Sequence, residues 1–133
     1  MIVVDTSALI AVLLNEPGAA SFRYVLARSE DLRLSAVSDY EARLVSFRQR
    51  GHRLVEAYDE LVDQTGLRIV AFDQEQSLLA FEAYRRYGKG NHPAALNFGD
   101  CASYALARRL NAPLLFKGND FGRTDIQSAL PAL

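Results

Sequence analysis

A chain of 133 residues, half of them apolar, is long enough to bury a full core in one domain, so it needs no disulfide staples to fold. Its lone cysteine, Cys101, excludes an internal disulfide and, with no CxxC or Cys/His neighbours, argues against a zinc site and an oxidising compartment. A formal net charge of -1 excludes a global basic field for nucleic acid and leaves local patches, at Arg43, Arg48, Arg50, His52 and Arg53 and at Arg85, Arg86 and Lys89.

In chain order, Ile2 to Val4 is a short β-branched run that reads as a strand buried on both faces. It has no basic leader and reaches Asp5 too soon for a signal or membrane segment, so a cytoplasmic chain with no membrane partner is expected. Thr6 is placed to cap a helix carrying Ala8, Leu9, Val12 and Leu13, which the turn signal NEPG ends. A second helix runs from about Ala19 to Arg28, with Phe22, Val25 and Leu26 on one face. The stretch LRLS gives a short strand and a cap at Ser35. The next helix, Ala36 to about Gln49, is expected to bury Val37, Tyr40, Leu44 and Val45, with Glu41 on the same stripe and Gly51 as its stop. A further helix carries Leu54, Ala57, Tyr58, Leu61 and Val62 as far as Gly66, and the strand LRIVAF follows. Asp73 caps a helix reaching about Tyr87. The turn-rich loop GKGNHPAALNFGD leads to Asp100 and a helix that buries Ala102, Ala105, Leu106 and Leu110. NAPLLFKGND then gives a turn, a strand and a second acid-bearing loop. Strands separated by helices predict an α/β layer fold with a mainly parallel sheet, because parallel strands need a crossover that helices supply. The phenylalanines and tyrosines fall mostly on helical stripes and read as core.

Acids stand at the ends of several elements. Asp5 follows the first strand and Asp120 the last, and in an open parallel sheet both ends belong to the ligand crevice. Asp100 begins a helix after a glycine, and Glu41 lies between Val37 and Val45 on a core-directed face, where a carboxylate needs a partner. Alone, Asp5 or Asp100 could be an ordinary helix cap, Asp120 an ordinary turn residue and Glu41 half of an arginine pair. Taken together they repel one another, by roughly 3 kcal/mol for a pair about 5 Å apart at an effective dielectric near 20. A divalent cation offsets that, and an oxygen-only donor set favours Mg²⁺, with Mn²⁺ possible, over zinc.

The motifs resemble those of the PIN-domain ribonucleases, and within them the VapC-type toxins of type II (VapBC) toxin-antitoxin pairs. VVDTSALIAVLLNEPGA resembles the family's opening, with Asp5 and Ser7 in its acid and hydroxyl places. LSAVSDYEA is similar to the second motif, with Glu41 as its acid and with Asp39 and Arg43 where apolar or small residues are usual. GKGNHPAALNFGDCASYALA and PLLFKGNDFGRTDI resemble the third and fourth motifs, giving Asp100 and Asp120, and Asp125 is a further acid near the fourth position. The resemblance implies a single PIN domain over residues 1–133, with three α/β/α layers around a central mainly parallel sheet of four to five strands. It implies an Mg²⁺-dependent endoribonuclease that forms a homodimer and is neutralised by a cognate VapB-type antitoxin. Asp5, Glu41, Asp100 and Asp120 would be both the metal ligands and the catalytic acids, with Thr6, Ser7 and Asn119 supporting them. Arg43, Arg86, Lys89 and Lys117 are the candidates to contact the RNA backbone.

Two other classes remain to be separated from this one. A receiver-type phosphoacceptor domain would use Asp73 as the phosphorylated residue and Lys117 as its partner, although such domains carry paired acids after the first strand and this chain has DTS. A catalytically silent PIN-like module would keep the fold and the partner surface and cleave nothing. His92, in a polar loop, reads as a solvated imidazole, and Cys101 as a small core residue.

Overall fold

The computed structural model describes residues 1–130. It has four strands, β1 (Ile2–Val4), β2 (Leu32–Ser35), β3 (Arg68–Val70) and β4 (Leu114–Leu115). The helices are α1 (Thr6–Leu13), α2 (Ala19–Arg28), α3 (Ala36–Arg50), α4 (His52–Thr65), α5 (Gln74–Tyr87) and α6 (Phe98–Leu110), with a 3₁₀ turn over Phe121–Arg123. All the pairings are parallel, in the order β3-β2-β1-β4. The first strand is thus internal, with Ile2 opposite Leu32 on one side and Val4 opposite Leu115 on the other.

Side chains alternate across a strand, and the two central valines show the consequence. Val4 joins Leu9, Phe22, Leu26, Leu34 and Tyr58 in the core beneath α1, α2 and α4. Val3, one residue earlier, joins Tyr87, Leu96, Tyr104, Leu106 and Leu114 beneath α5 and α6. These are the two helical layers, with the sheet between them. Asp5, directly after β1, therefore emerges at the carboxyl end of an internal strand, next to the residues that follow β4.

The third helix departs from its expected face. Its buried residues are Ser38, Ala42 and Ser46, whereas Tyr40, Leu44 and Phe47 are exposed. The helix packs against α1, α4 and α6, and small side chains let its backbone approach that closely. The larger apolar residues are turned outward as a result. Aromatic residues in general are less buried than their stripes predict: Tyr24, Phe81, Tyr84 and Phe98 also lie on the surface.

Candidate active site

Asp5 is the cap of α1, the place expected for Thr6, and is 3% exposed. Its Oδ2 accepts hydrogen bonds from the amide and hydroxyl of Ser7 at 3.0 and 2.6 Å, and its Oδ1 accepts one from Ser103 Oγ at 2.5 Å. Ser7 Oγ in turn accepts from the Lys117 amide at 2.9 Å, which ties the segment after β4 to the acid after β1. Thr6 serves the site differently from Ser7. Its Oγ1 donates to the Ser38 carbonyl at 3.1 Å, joining the first turns of α1 and α3.

Asp100 lies in the first turn of α6, in a capping box with Asn97. The Asn97 amide donates to Asp100 Oδ2 at 3.0 Å, and the Asp100 amide donates to Asn97 Oδ1 at 2.9 Å. A carboxylate at a helix N-terminus is normally favoured by the helix dipole. Here burial dominates, and with the fields of Asp5, Asp120 and Glu41 it pushes the Asp100 carboxyl up to about 7. Glu41, projecting from α3, is likewise raised, chiefly by burial and also by Asp5, against the neighbouring Thr6 hydroxyl and the field of Arg48. Its carboxylate lies over Gly99 so closely that a Cβ there would stand 2.8 Å from Glu41 Cδ. Asp120 is exposed just before the 3₁₀ turn and makes no capping bond. Asn119, beside it, is also exposed and lines an adjoining cavity of about 610 Å³ with Lys117, Gly118 and Arg123.

Four acids from separate elements thus act on one another electrostatically. Among the described residues, no three acids, histidines or cysteines are drawn together into a ready-made cage. The capping box holds Asp100 to Asn97. By its chemistry the donor set fits a hard divalent cation: it is all oxygen and carboxylate, and the ionisation of Asp100 and Glu41 is disfavoured until positive charge arrives.

Asp125 accepts from the Tyr104 hydroxyl at 2.6 Å and has Arg86 and Arg108 at 3.9 and 3.7 Å. It is not among the acids acting on Asp100. Arg43 pairs with Asp39 and Asp59 at 3.5 and 2.9 Å, and Tyr58 donates to Asp39 at 2.6 Å, so the two unusual residues of the second motif join α3 to α4. Lys117 Nζ pairs with Glu16 at 3.0 Å. Lys89 is exposed and, among the described residues, forms no ion pair. Asp73 caps α5 through the Gln76 amide, at the far edge of the sheet from Lys117, so the receiver arrangement does not form. His92 is only partly exposed: its Nδ1 accepts from the Ala94 amide and its ring meets Tyr87 edge-on. Cys101 is buried, and burial together with Asp100 raises its thiol to about 11, far from a reactive thiolate.

Sequence reasoning missed Ser103, Ser38, Gly99 and Asn97. The signal for Ser103 was its spacing of three from Asp100, which puts both on one face of α6. For Gly99 it was the need for a side-chain-free position where Glu41 crosses.

The PIN domain family model matches residues 2–127. The chain is 46% identical over 129 residues to Ribonuclease VapC28 of Mycobacterium tuberculosis, covering 96% of this chain and 97% of that one. The crystal structure of VapC20 from the same organism, a sarcin-ricin loop cleaving toxin, superposes with a TM-score of 0.81 at 19% identity, over 98% of this chain and 100% of that one. VapBC2 of Rickettsia felis, solved bound to a DNA fragment from its promoter, gives 0.75 at 16% identity, over 96% of each chain. At such identities the two structures bear on the fold alone.

Proposed function

The chain belongs to the PIN-domain family, and within it to the VapC ribonucleases, and on that premise we propose that it is an Mg²⁺-dependent endoribonuclease toxin neutralised by a cognate VapB-type antitoxin. The observation that carries this reading is the raised carboxyl of the partly buried Asp100, which feels the charges of Asp5, Asp120 and Glu41. Such a group ionises less readily than an ordinary aspartate and becomes a willing ligand when a cation is offered. Asp5, Glu41, Asp100 and Asp120 would hold Mg²⁺, or Mn²⁺ in its place. When bound, the ion supplies the Lewis acidity that lowers the pKa of an attacking water and offsets charge on the scissile phosphate.

The chain's own residues do the rest. Ser7 and the Lys117 amide keep Asp5 in one orientation, and Thr6 fixes α1 against α3. An acidic pocket repels RNA, so backbone contact falls to cations at its margin. Of the four basic candidates, Lys89 pairs with no carboxylate among the described residues, whereas Arg43, Arg86 and Lys117 already face carboxylates. Single-stranded or looped RNA is the favoured target, because unpaired segments are what proteins most often read in RNA.

Two apolar surfaces suit the two protein partners. Leu78, Phe81, Tyr84 and Phe98 are exposed on α5 and at the start of α6, and a second copy of the chain covers them in the homodimer. Tyr40, Leu44 and Phe47 are exposed on α3, between the basic positions Arg43, Arg48 and Arg50, and an amphipathic segment of the antitoxin covers these. A basic side chain from that segment, entering the acid pocket, would displace the cation by charge. Among the described residues, no helix is long and apolar enough to cross a membrane.

The test is to incubate the purified chain with total RNA in Mg²⁺, in chelator, and with its co-expressed upstream neighbour, and to map the new 5′ ends. Discrete ends are expected in Mg²⁺ alone, and none from Asp100→Asn under any condition. Equal cleavage in excess chelator would overturn the mechanism. No cleavage by a folded, metal-bound protein on any RNA would make it a silent module.

A further inference from the structure

Asp5 is the most deeply buried of the four acids, and two separate elements besides its own strand hold it. Three hydrogen bonds reach its oxygens, two from Ser7 and one from Ser103. A carboxylate offers about four acceptor sites, so one is left uncommitted. Ser103 Oγ carries a single proton, and an ionised carboxylate can only accept, so that proton is committed to Asp5. Ser38 Oγ, 3.1 Å from Ser103 Oγ, is therefore the donor of that pair. The bonds run one way, from α3 to α6 to Asp5. Both serines are 0% exposed.

Burying a hydroxyl costs free energy unless it is bonded, and alanines at neighbouring positions of both helices, Ala42 and Ala102, show that small apolar residues suit this packing. Two hydroxyls in such a place need a reason beyond filling space. Ser103 also stands three residues after Asp100, on the same face of α6, so any shift of that helix moves one acid and the hydroxyl that orients another together. Hydrogen bonds to ligand carboxylates fix their orientation and strengthen metal binding.

We propose that the Ser38–Ser103 hydroxyl relay positions Asp5 for a divalent cation, with Ser103 the positioning residue and Ser38 acting through it. The relay leaves Asp5 one free acceptor site and holds it in a single direction. The inference rests on the metal-nuclease reading, and it concerns cation affinity rather than RNA binding. A lesion in the relay therefore weakens the metal site and slows turnover without loosening the RNA.

The probe is Mn²⁺ alone, with free ion read from its paramagnetic resonance signal as it is titrated into metal-free full-length protein whose folding has been checked by melting in chelator. Ser103→Ala is expected to weaken Mn²⁺ binding by about tenfold or more. On RNA it should lower kcat while KM stays within about twofold, the pattern of a lost transition-state interaction rather than lost substrate binding. Ser38→Ala should give a smaller loss of the same kind, and the double variant should bind no worse than Ser103→Ala, because Ser38 reaches Asp5 only through Ser103. Wild-type Mn²⁺ affinity in Ser103→Ala overturns the relay, as does a double variant whose loss is the product of the two single losses. Those results, with wild-type protein still binding Mn²⁺ and cutting RNA, leave the nuclease reading standing. Wild-type protein that neither binds Mn²⁺ nor cuts RNA removes both.

Discussion

Asp100 links acidity, stability and metal at a single residue. Its folded-state value, about 7, lies above the ordinary 3.8, so the native chain holds this proton more tightly than the unfolded chain does. The resulting stability is complete below the unfolded value and is lost as pH rises through the folded one. Glu41 shifts in the same direction. In chelator, the melting temperature of the wild type relative to Asp100→Asn should therefore fall between about pH 4 and pH 7, and Mg²⁺ should restore it at pH 8. A difference that rises with pH would mean that the carboxyl is not held among like charges. Gly99→Ala tests the neighbouring acid without touching a carboxylate. The added Cβ meets the end of a flexible side chain, so Glu41 moves and the helix stays. Unfolding free energy should change by less than about 1 kcal/mol, because alanine suits a helix better than glycine, while Mg²⁺-dependent cleavage falls at least tenfold. Cleavage at the wild-type rate would mean that Glu41 is not needed where it stands. The acids themselves were legible in the sequence because each follows or opens an element, and element ends are marked by glycine, turn residues and apolar runs. The role of Ser103 was not legible: its spacing of three puts it on the face of Asp100, but only the fold brings Asp5, 98 positions earlier, beside it.

At the scale of elements, α3 and α4 form a hairpin whose polar tie explains two residues that looked out of place. Tyr58 is fully buried in the core below, yet its hydroxyl reaches Asp39, and burial with that carboxylate raises its pKa further. The Arg43 guanidinium lies 5.2 Å from the Tyr58 ring centroid and bridges Asp39 and Asp59. Removing the hydroxyl leaves a half-buried carboxylate short of a donor, whereas removing the arginine breaks pairs that water already screens. Tyr58→Phe should thus cost about 1–3 kcal/mol in chemical denaturation. Arg43→Ala should cost about 1 kcal/mol or less. The reverse order would show that the ion pairs, not the tyrosine, hold the hairpin. Helix boundaries and caps were legible here, because Ser35 and Asp73 cap where hydroxyl and carboxylate preferences put them. The buried face of α3 was not. Its large apolar residues give the expected stripe, but three helices crowd it from the inner side, so only Ser38, Ala42 and Ser46 fit and the stripe is left for a partner.

At the scale of the whole molecule, a nearly neutral chain with two exposed apolar ridges is built for association more than for long-range steering. The ridges differ in their surroundings. On α3 the apolar residues alternate with Arg43, Arg48 and Arg50, which suits a segment bearing acids among its apolar anchors. On α5 and the start of α6, Leu78, Phe81 and Phe98 are each more than 60% exposed, and Phe81 and Phe98, with Phe72 and Tyr84, border a cavity of about 270 Å³ that the side chains of a second copy can fill. A stable dimer buries about 800 Å² on each partner, with aromatic anchors at its centre, and Phe81 stands centrally in this patch. Phe98 is two residues before Asp100, so a homodimer seam on this patch would run beside the acids and bring the two sites into one neighbourhood. Phe81→Glu puts an unpaired charge at the centre of that seam, whereas Tyr24→Glu changes an equally exposed aromatic on α2, outside the patch. Light scattering at matched concentrations should give twice the 14.8 kDa chain mass for the wild type and for Tyr24→Glu, and the single-chain mass for Phe81→Glu. If Tyr24→Glu were the variant that dissociates, the seam would lie against α2, far from Phe98, and the two active sites would work apart.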